Sequence, residues 1–206
     1  MRHANQLLVF LRAPRPGTVK TRLAAAIGAE AALQAYEELL EVTVTALADL
    51  TEVELRFTPD DAAAEVSGLG PASWSRCPQG PGDLGERLIR AFADSFRGGA
   101  RGTVVIGTDC PWIMPEDIGA AWLALEEVDV VLGPAADGGY WLIALREPHP
   151  ELFQGISWGQ STVLAETRHR AERLGLQVRL LRELADVDTV EDWRAYQLAQ
   201  SHSPLE

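Results

Sequence analysis

Seventeen of the eighteen basic residues in this chain are arginine, and the single lysine, Lys20, lies within Pro14-Arg15-Pro16-Gly17-Thr18-Val19-Lys20-Thr21-Arg22-Leu23. A guanidinium is a planar fork, whereas an ammonium is a compact point charge that suits a phosphate oxygen. Arg12, Arg15 and Arg22 crowd the same stretch, so a di- or triphosphate could be held here by Arg12, Pro16, Gly17, Lys20 and Arg22, with Lys20 as a catalytic group. The loop is not a Walker A loop. Gly17-Thr18-Val19-Lys20-Thr21 lacks the first glycine and the four-residue spacing that wrap a phosphate, which argues against a P-loop kinase.

Carboxylates supply the second kind of chemistry. Asp109, in Gly107-Thr108-Asp109-Cys110-Pro111, offers a hard oxygen donor suited to Mg2+ or Mn2+, ions that take one or two carboxylates, waters and phosphate oxygens. The competing reading is a simple turn cap. Asp188, in Asp186-Val187-Asp188-Thr189, is preferred over Asp186 as the second metal ligand, against a capping role shared with Thr189 and Asp192. Asp137, followed by Gly138 and Gly139, is the candidate base for an acceptor hydroxyl, and the two glycines would let backbone approach a ligand. A tight Asp-Gly hairpin turn explains the same residues. Gln79, Asp83 and Arg87 flank a glycine-rich break and could read a base or sugar, or serve as helix caps and surface. Trp141 and Trp158 are read as core residues before stacking platforms. Cys110 has no neighbouring histidine to activate it as a nucleophile.

These groups need a scaffold that gathers them. The unbroken apolar run at residues 7–11 reads as a strand buried on both faces of a parallel sheet, and residues 19–27 as a short helix stopped by Gly28. A helix is expected over 30–50, a strand over 53–58, a short helix from Pro59-Asp60, a weak strand over 72–77, and a helix from Asp83, with Glu86 three residues on, to about Phe96. Strands follow at 103–107, 128–133, 140–145 and 176–181. Helices follow at 115–126, at 161–174 capped by Ser161, and from Thr189 through Ala199. Alternating strands and helices predict an α/β fold with a mostly parallel sheet, in which ligands sit at the carboxyl ends of the strands.

With 206 residues, 47% apolar and 23% charged, the chain has the composition of an ordinary globular domain, expected over residues 1–200, with a frayed tail at 201–206. Thirty acidic against eighteen basic residues give a net charge of -12, which argues against nonspecific binding to nucleic acid or anionic lipid. No run approaches the roughly twenty apolar residues of a membrane span, so a cytoplasmic location is expected. Two cysteines are too few for a disulfide framework.

Taken in order, residues 16–23, 82–87, 107–111, 137–140, 158–162 and 186–189 resemble the DUF2064 family, also described as radical-SAM-selenodomain-associated transferase 1. This group of glycosyltransferase-like proteins is related to the molybdenum-cofactor and phospholactate guanylyltransferases. The resemblance implies a three-layer GT-A-like (nucleotide-diphospho-sugar transferase) fold. It also implies that Lys20 and Arg22 grip nucleotide phosphates while Asp109 and Asp188 hold Mg2+ or Mn2+. Trp112 departs from the small residue usual there, and Val190 from a proline. The leading expectation is sugar transfer from a nucleotide-diphosphate sugar to a small acceptor. Transfer of a nucleotidyl group from a nucleoside triphosphate to a phosphorylated acceptor is the alternative, and a nucleotide-binding module without turnover is a third.

Overall fold

The computed structural model describes residues 4–202. Its centre is one seven-stranded sheet in the order β3-β2-β1-β4-β6-β5-β7, formed by β1 (Gln6–Arg12), β2 (Val53–Thr58), β3 (Ser75–Pro78), β4 (Thr103–Ile106), β5 (Val130–Pro134), β6 (Tyr140–Leu145) and β7 (Val178–Leu180). Every pairing is parallel except the two made by β6 with β4 and β5. The strands bury both faces, as an unbroken apolar run requires. Leu7, Val9, Leu11, Val104 and Ile106 face one core with Tyr36, Leu40, Ile118 and Ala121, whereas Leu8, Phe10 and Val105 face a second core with Leu88, Phe92, Phe153 and Ala171. The alternation within a single strand is the two-residue period of the pleat.

The helices α1 (Thr21–Ile27), α2 (Ala29–Ala46), α3 (Leu84–Arg97), α4 (Pro115–Ala124), α5 (Val163–Arg173) and α6 (Val190–His202) complete the layers. Helices α2 and α4 lie on the first core, and α3 and α5 on the second. At the head of α3, Asp83 accepts from the Glu86 amide at 2.9 Å while the Glu86 side chain accepts from the Asp83 amide at 2.9 Å, the reciprocal capping box read from sequence.

Several elements differ from expectation. The first helix begins at Thr21 and not at residue 19, because Lys20 takes the left-handed conformation with φ 46 and ψ 48. Residues 59–70 form successive turns in place of a helix: Pro59, Ala62 and Val66 carbonyls accept from amides three residues on. Thr162, not Ser161, is the N-cap of α5, and it makes no side-chain cap bond, donating instead to Glu166 at 2.6 Å. Helix α6 runs to His202, so Ser201 is helical where a tail was expected, and residues 203–206 lie outside the described residues. No described helix is long and apolar enough to cross a membrane.

Candidate active site

Chain order decides where the chemistry gathers. From β1 the chain builds outward to β2 and β3, then returns to place β4 on the other flank of β1, so the crevice between the carboxyl ends of β1 and β4 is the point where strand order reverses. The loop leaving β1 carries Lys20, and the loop leaving β4 carries Asp109. The loop leaving β7 brings Asp186 and Asp188 to the same edge, because the parallel bridge between Ala135 and Leu184 extends the β5 pairing of that segment. The Val187 amide then donates to the Asp109 carbonyl at 2.9 Å, tying the two acidic loops by backbone.

At this junction Lys20 Nζ donates to one oxygen of Asp109 in a very short contact and to Asp188 Oδ1 at 3.0 Å. The lysine side chain is only 2% exposed, while those of Asp109 and Asp188 are 54% and 41% exposed. Burial pushes the ammonium down, but the charges of both aspartates and the hydrogen bonds to them outweigh it, and Lys20 stands above its ordinary value. A left-handed backbone at a residue with a Cβ costs free energy and persists only where surrounding contacts over-determine it, and the two ion pairs supply such contacts here. Capping does not occupy Asp188: Asp192 takes that role, accepting from the Asp188 and Thr189 amides at 3.1 and 2.8 Å.

Asp186 is the group that sequence reasoning set aside. Burial, then the charges of Asp109, Asp137 and Asp188, push its carboxyl up to about 7, so this half-buried group feels the field of three other carboxylates. Its spacing two residues from Asp188 was the available signal, and nothing local separated the two. A clamp farther along the loops also went unread. Arg182 donates from Nε and Nη2 to Asp117 Oδ1 and Oδ2, each at 2.7 Å, and from Nη2 to the Trp112 carbonyl at 2.9 Å. The clamp therefore braces the loop after Asp109 against the loop that carries Asp188.

A cleft of about 730 Å3 opens above this edge. Of the residues singled out from sequence, Arg12, Lys20, Arg22, Gln79, Asp83, Arg87, Asp109 and Asp188 line it, whereas Pro16, Gly17, Asp137, Gly138 and Gly139 do not. Arg12 and Arg22 are exposed, but Arg15 is turned to Asp61 and Glu65 and is not free for a ligand. Gln79 is buried. Its amide nitrogen donates to the Leu11 and Arg56 carbonyls at 3.1 and 2.8 Å, and its oxygen accepts from Arg87 at 3.3 Å, so it braces strands and an arginine. Asp137 is exposed and accepts from the Gly139 amide at 2.8 Å inside the β5–β6 hairpin, where Gly138 has φ +89 and packs against the Ser161 backbone. Trp141 is buried, with its ring nitrogen donating to the Arg182 carbonyl at 3.2 Å, and half-buried Trp158 meets Tyr140 edge to face. Burial pushes the Cys110 thiol up to about 12, which removes it as a nucleophile.

A mostly parallel sheet with one reversed strand, flanked by helices and carrying a polar cleft at the switch point, defines the nucleotide-diphospho-sugar transferase class of fold. A crystal structure of a candidate nucleotide-diphospho-sugar transferase from Desulfovibrio desulfuricans G20 superposes with a TM-score of 0.90 at 33% identity, covering 98% of this chain and 89% of that one. The model of the family described as "Uncharacterized protein conserved in bacteria (DUF2064)" matches residues 41–160, and the chain belongs to that family. Two named relatives are similar as well. The phosphoenolpyruvate guanylyltransferase of Chloroflexus aggregans is 33% identical over 148 residues, 68% of this chain and 69% of that protein. The 2-phospho-L-lactate guanylyltransferase of Methanopyrus kandleri is 28% identical over 185 residues, 85% of this chain and 83% of that protein. The chain is a transferase of the nucleotide-using kind.

Proposed function

We propose that this protein is a nucleotidyltransferase in which a phosphate oxygen of a small phosphorylated acceptor attacks the α-phosphorus of a nucleoside triphosphate. The new P–O bond forms as the α–β bridge breaks, and pyrophosphate leaves. The observation that carries this reading is the likeness, over two thirds of both chains, to a protein named for guanylyl transfer to phosphoenolpyruvate. It takes precedence over sugar transfer, the first expectation from the sequence, and it makes GTP the first donor to try.

The residues suit such a reaction. Arg12 and Arg22 offer exposed guanidinium groups beside Lys20, so the triphosphate meets three cations on one side of the cleft. Arg87, held by Gln79 and by the Gly82 carbonyl at 2.9 Å, adds a fourth cation to the cleft lining, with Asp83 also there. A phosphate monoester has a second pKa of about 6, so at neutral pH the acceptor arrives as a nucleophile that needs no general base. Sugar transfer to an unactivated hydroxyl calls for one, and Asp137, which accepts from the Gly139 amide in its own turn, does not line the cleft.

Among the described residues no group of three or more His, Cys, Asp or Glu side chains is placed to hold a metal ion. Asp109 and Asp188, both about half exposed and both reaching one ammonium, fit instead a hard ion that takes two carboxylates and completes its shell with water and phosphate. Mg2+ or Mn2+ meets that description, and when bound it would offset the charge that develops on the departing pyrophosphate. Incubating the protein with each nucleoside triphosphate, Mn2+ and phosphoenolpyruvate should release pyrophosphate only when acceptor is present. Release of nucleoside diphosphate from a nucleotide sugar, with no pyrophosphate from any triphosphate, would overturn the reading.

A further inference from the structure

Lys20 stands where a cation would stand. Its ammonium lies on carboxylate oxygens of both Asp109 and Asp188, nearly sealed from solvent, and its backbone is held in the left-handed region by a residue type that disfavours it. Two carboxylates reaching for one point repel each other unless positive charge lies between them, so the ammonium makes the pair tolerable in the folded chain. A divalent ion bound through the same oxygens would bring two further positive charges against the ammonium at hydrogen-bonding range. The oxygens have lone pairs to spare, but a dication and an ammonium sharing them would be held at close range, and that repulsion disfavours serving both at once. Arg12 and Arg22 are exposed on the cleft lining and make no ion pair with either aspartate, so Lys20 is the cation of the loop whose partners an entering metal would compete for.

We propose that Lys20 is an internal stand-in for the divalent cation: it holds Asp109 and Asp188 together in the free protein, releases both when the ion binds, and turns to the phosphates of the nucleotide. The proposal rests on the reading of those two aspartates as the ion's ligands. It makes ion and triphosphate binding mutually supportive, because the ion frees the lysine that the phosphates then engage.

Because Lys20 is the only lysine, an amine reagent reports on it directly, with the amino terminus resolved by peptide mass. Reductive methylation of the full-length wild-type protein should be slow without metal, markedly faster with saturating Mg2+, and slow again when Mg2+ is accompanied by a non-hydrolysable triphosphate. Mn2+ binding, followed by electron paramagnetic resonance, is measured in parallel. If Mn2+ binds and is lost in Asp109→Asn, yet labelling of Lys20 is unchanged or slower with metal, the proposal is wrong and the metal site stands. If Mn2+ does not bind, or binds equally to Asp109→Asn and Asp188→Asn, the metal site itself is wrong and the proposal goes with it. Continued fast labelling with triphosphate present removes the transfer to phosphate. Lys20→Met should bind Mn2+ alone about tenfold more tightly than wild type, the scale of one charge-assisted hydrogen bond no longer displaced. Equal or weaker binding by the folded variant refutes the stand-in, and the labelling experiment decides alone if that variant does not fold.

Discussion

Removing the Asp117 carboxylate should loosen the active-site edge from a distance. Asp117 is nearly buried at the start of α4, where it accepts two bonds of 2.7 Å from Arg182 and one of 2.8 Å from the Met114 amide. Charge-assisted hydrogen bonds contribute about 1.5–3 kcal/mol each when desolvated. The Arg182 side chain is 51% exposed, so water recovers part of what it loses, and Asp117→Ala should cost about 3 kcal/mol in all. For a chain of this size that lowers Tm by about 6–12 °C. The pH dependence has a definite sign. Burial pushes the carboxyl up, but the bonds from Arg182 and Met114 outweigh it and hold it below its ordinary value. A carboxylate so depressed stabilises the fold above its unfolded pKa and loses that contribution as pH falls through the folded value, so the curves of variant and wild type should converge below about pH 4. Differential scanning calorimetry across pH measures both effects. A Tm within about one degree of wild type at neutral pH, or a difference that persists undiminished in acid, would refute the reasoning. Because Arg182 also holds the Trp112 carbonyl, the variant should transfer more slowly even well below its Tm.

Other perturbations separate the roles of individual residues. Asp137→Asn should keep transfer within about threefold of wild type in a steady-state assay, since a phosphate nucleophile needs no base; a loss of about a hundredfold or more would mark a general base and favour a hydroxyl acceptor. Gln79→Ala leaves the Leu11 and Arg56 carbonyls without their donor, and should cost about 2 kcal/mol in chemical denaturation while raising KM for the nucleotide through a loosened Arg87. In native protein at pH 8, Cys110 should resist iodoacetamide and react only on unfolding, and rapid native labelling at that position, read by mass spectrometry, would contradict its burial.

The strands and the capping box at Asp83 were legible because their causes are local. Leu7 through Leu11 must be buried on both faces, and Asp83 and Glu86 lie one helical turn apart. Parallel order followed from strand–helix alternation, and it sends Lys20, Asp109 and Asp188 to one sheet edge because loops that leave parallel strands share an end. Partnerships between distant segments could not be read. Arg15 looked like a free cation until Asp61 and Glu65, some fifty residues away, claimed it. The Arg182–Asp117 clamp spans 65 positions, and the left-handed turn at Lys20 depends on carboxylates 89 and 168 positions on. Asp186 and Asp188 have the same chemistry two residues apart, so only tertiary placement distinguishes them: Asp188 meets Lys20 and lines the cleft, and Asp186 does not.

The claim on which the account depends is that Asp109 and Asp188 act as one unit on a nucleoside triphosphate. A double-mutant cycle of Asp109→Asn and Asp188→Asn, read as kcat/KM for pyrophosphate release, tests it. Two ligands of one centre predict that each single variant loses nearly all activity and that the double variant is no worse than either. Losses that multiply, with each single variant retaining substantial activity, would contradict it.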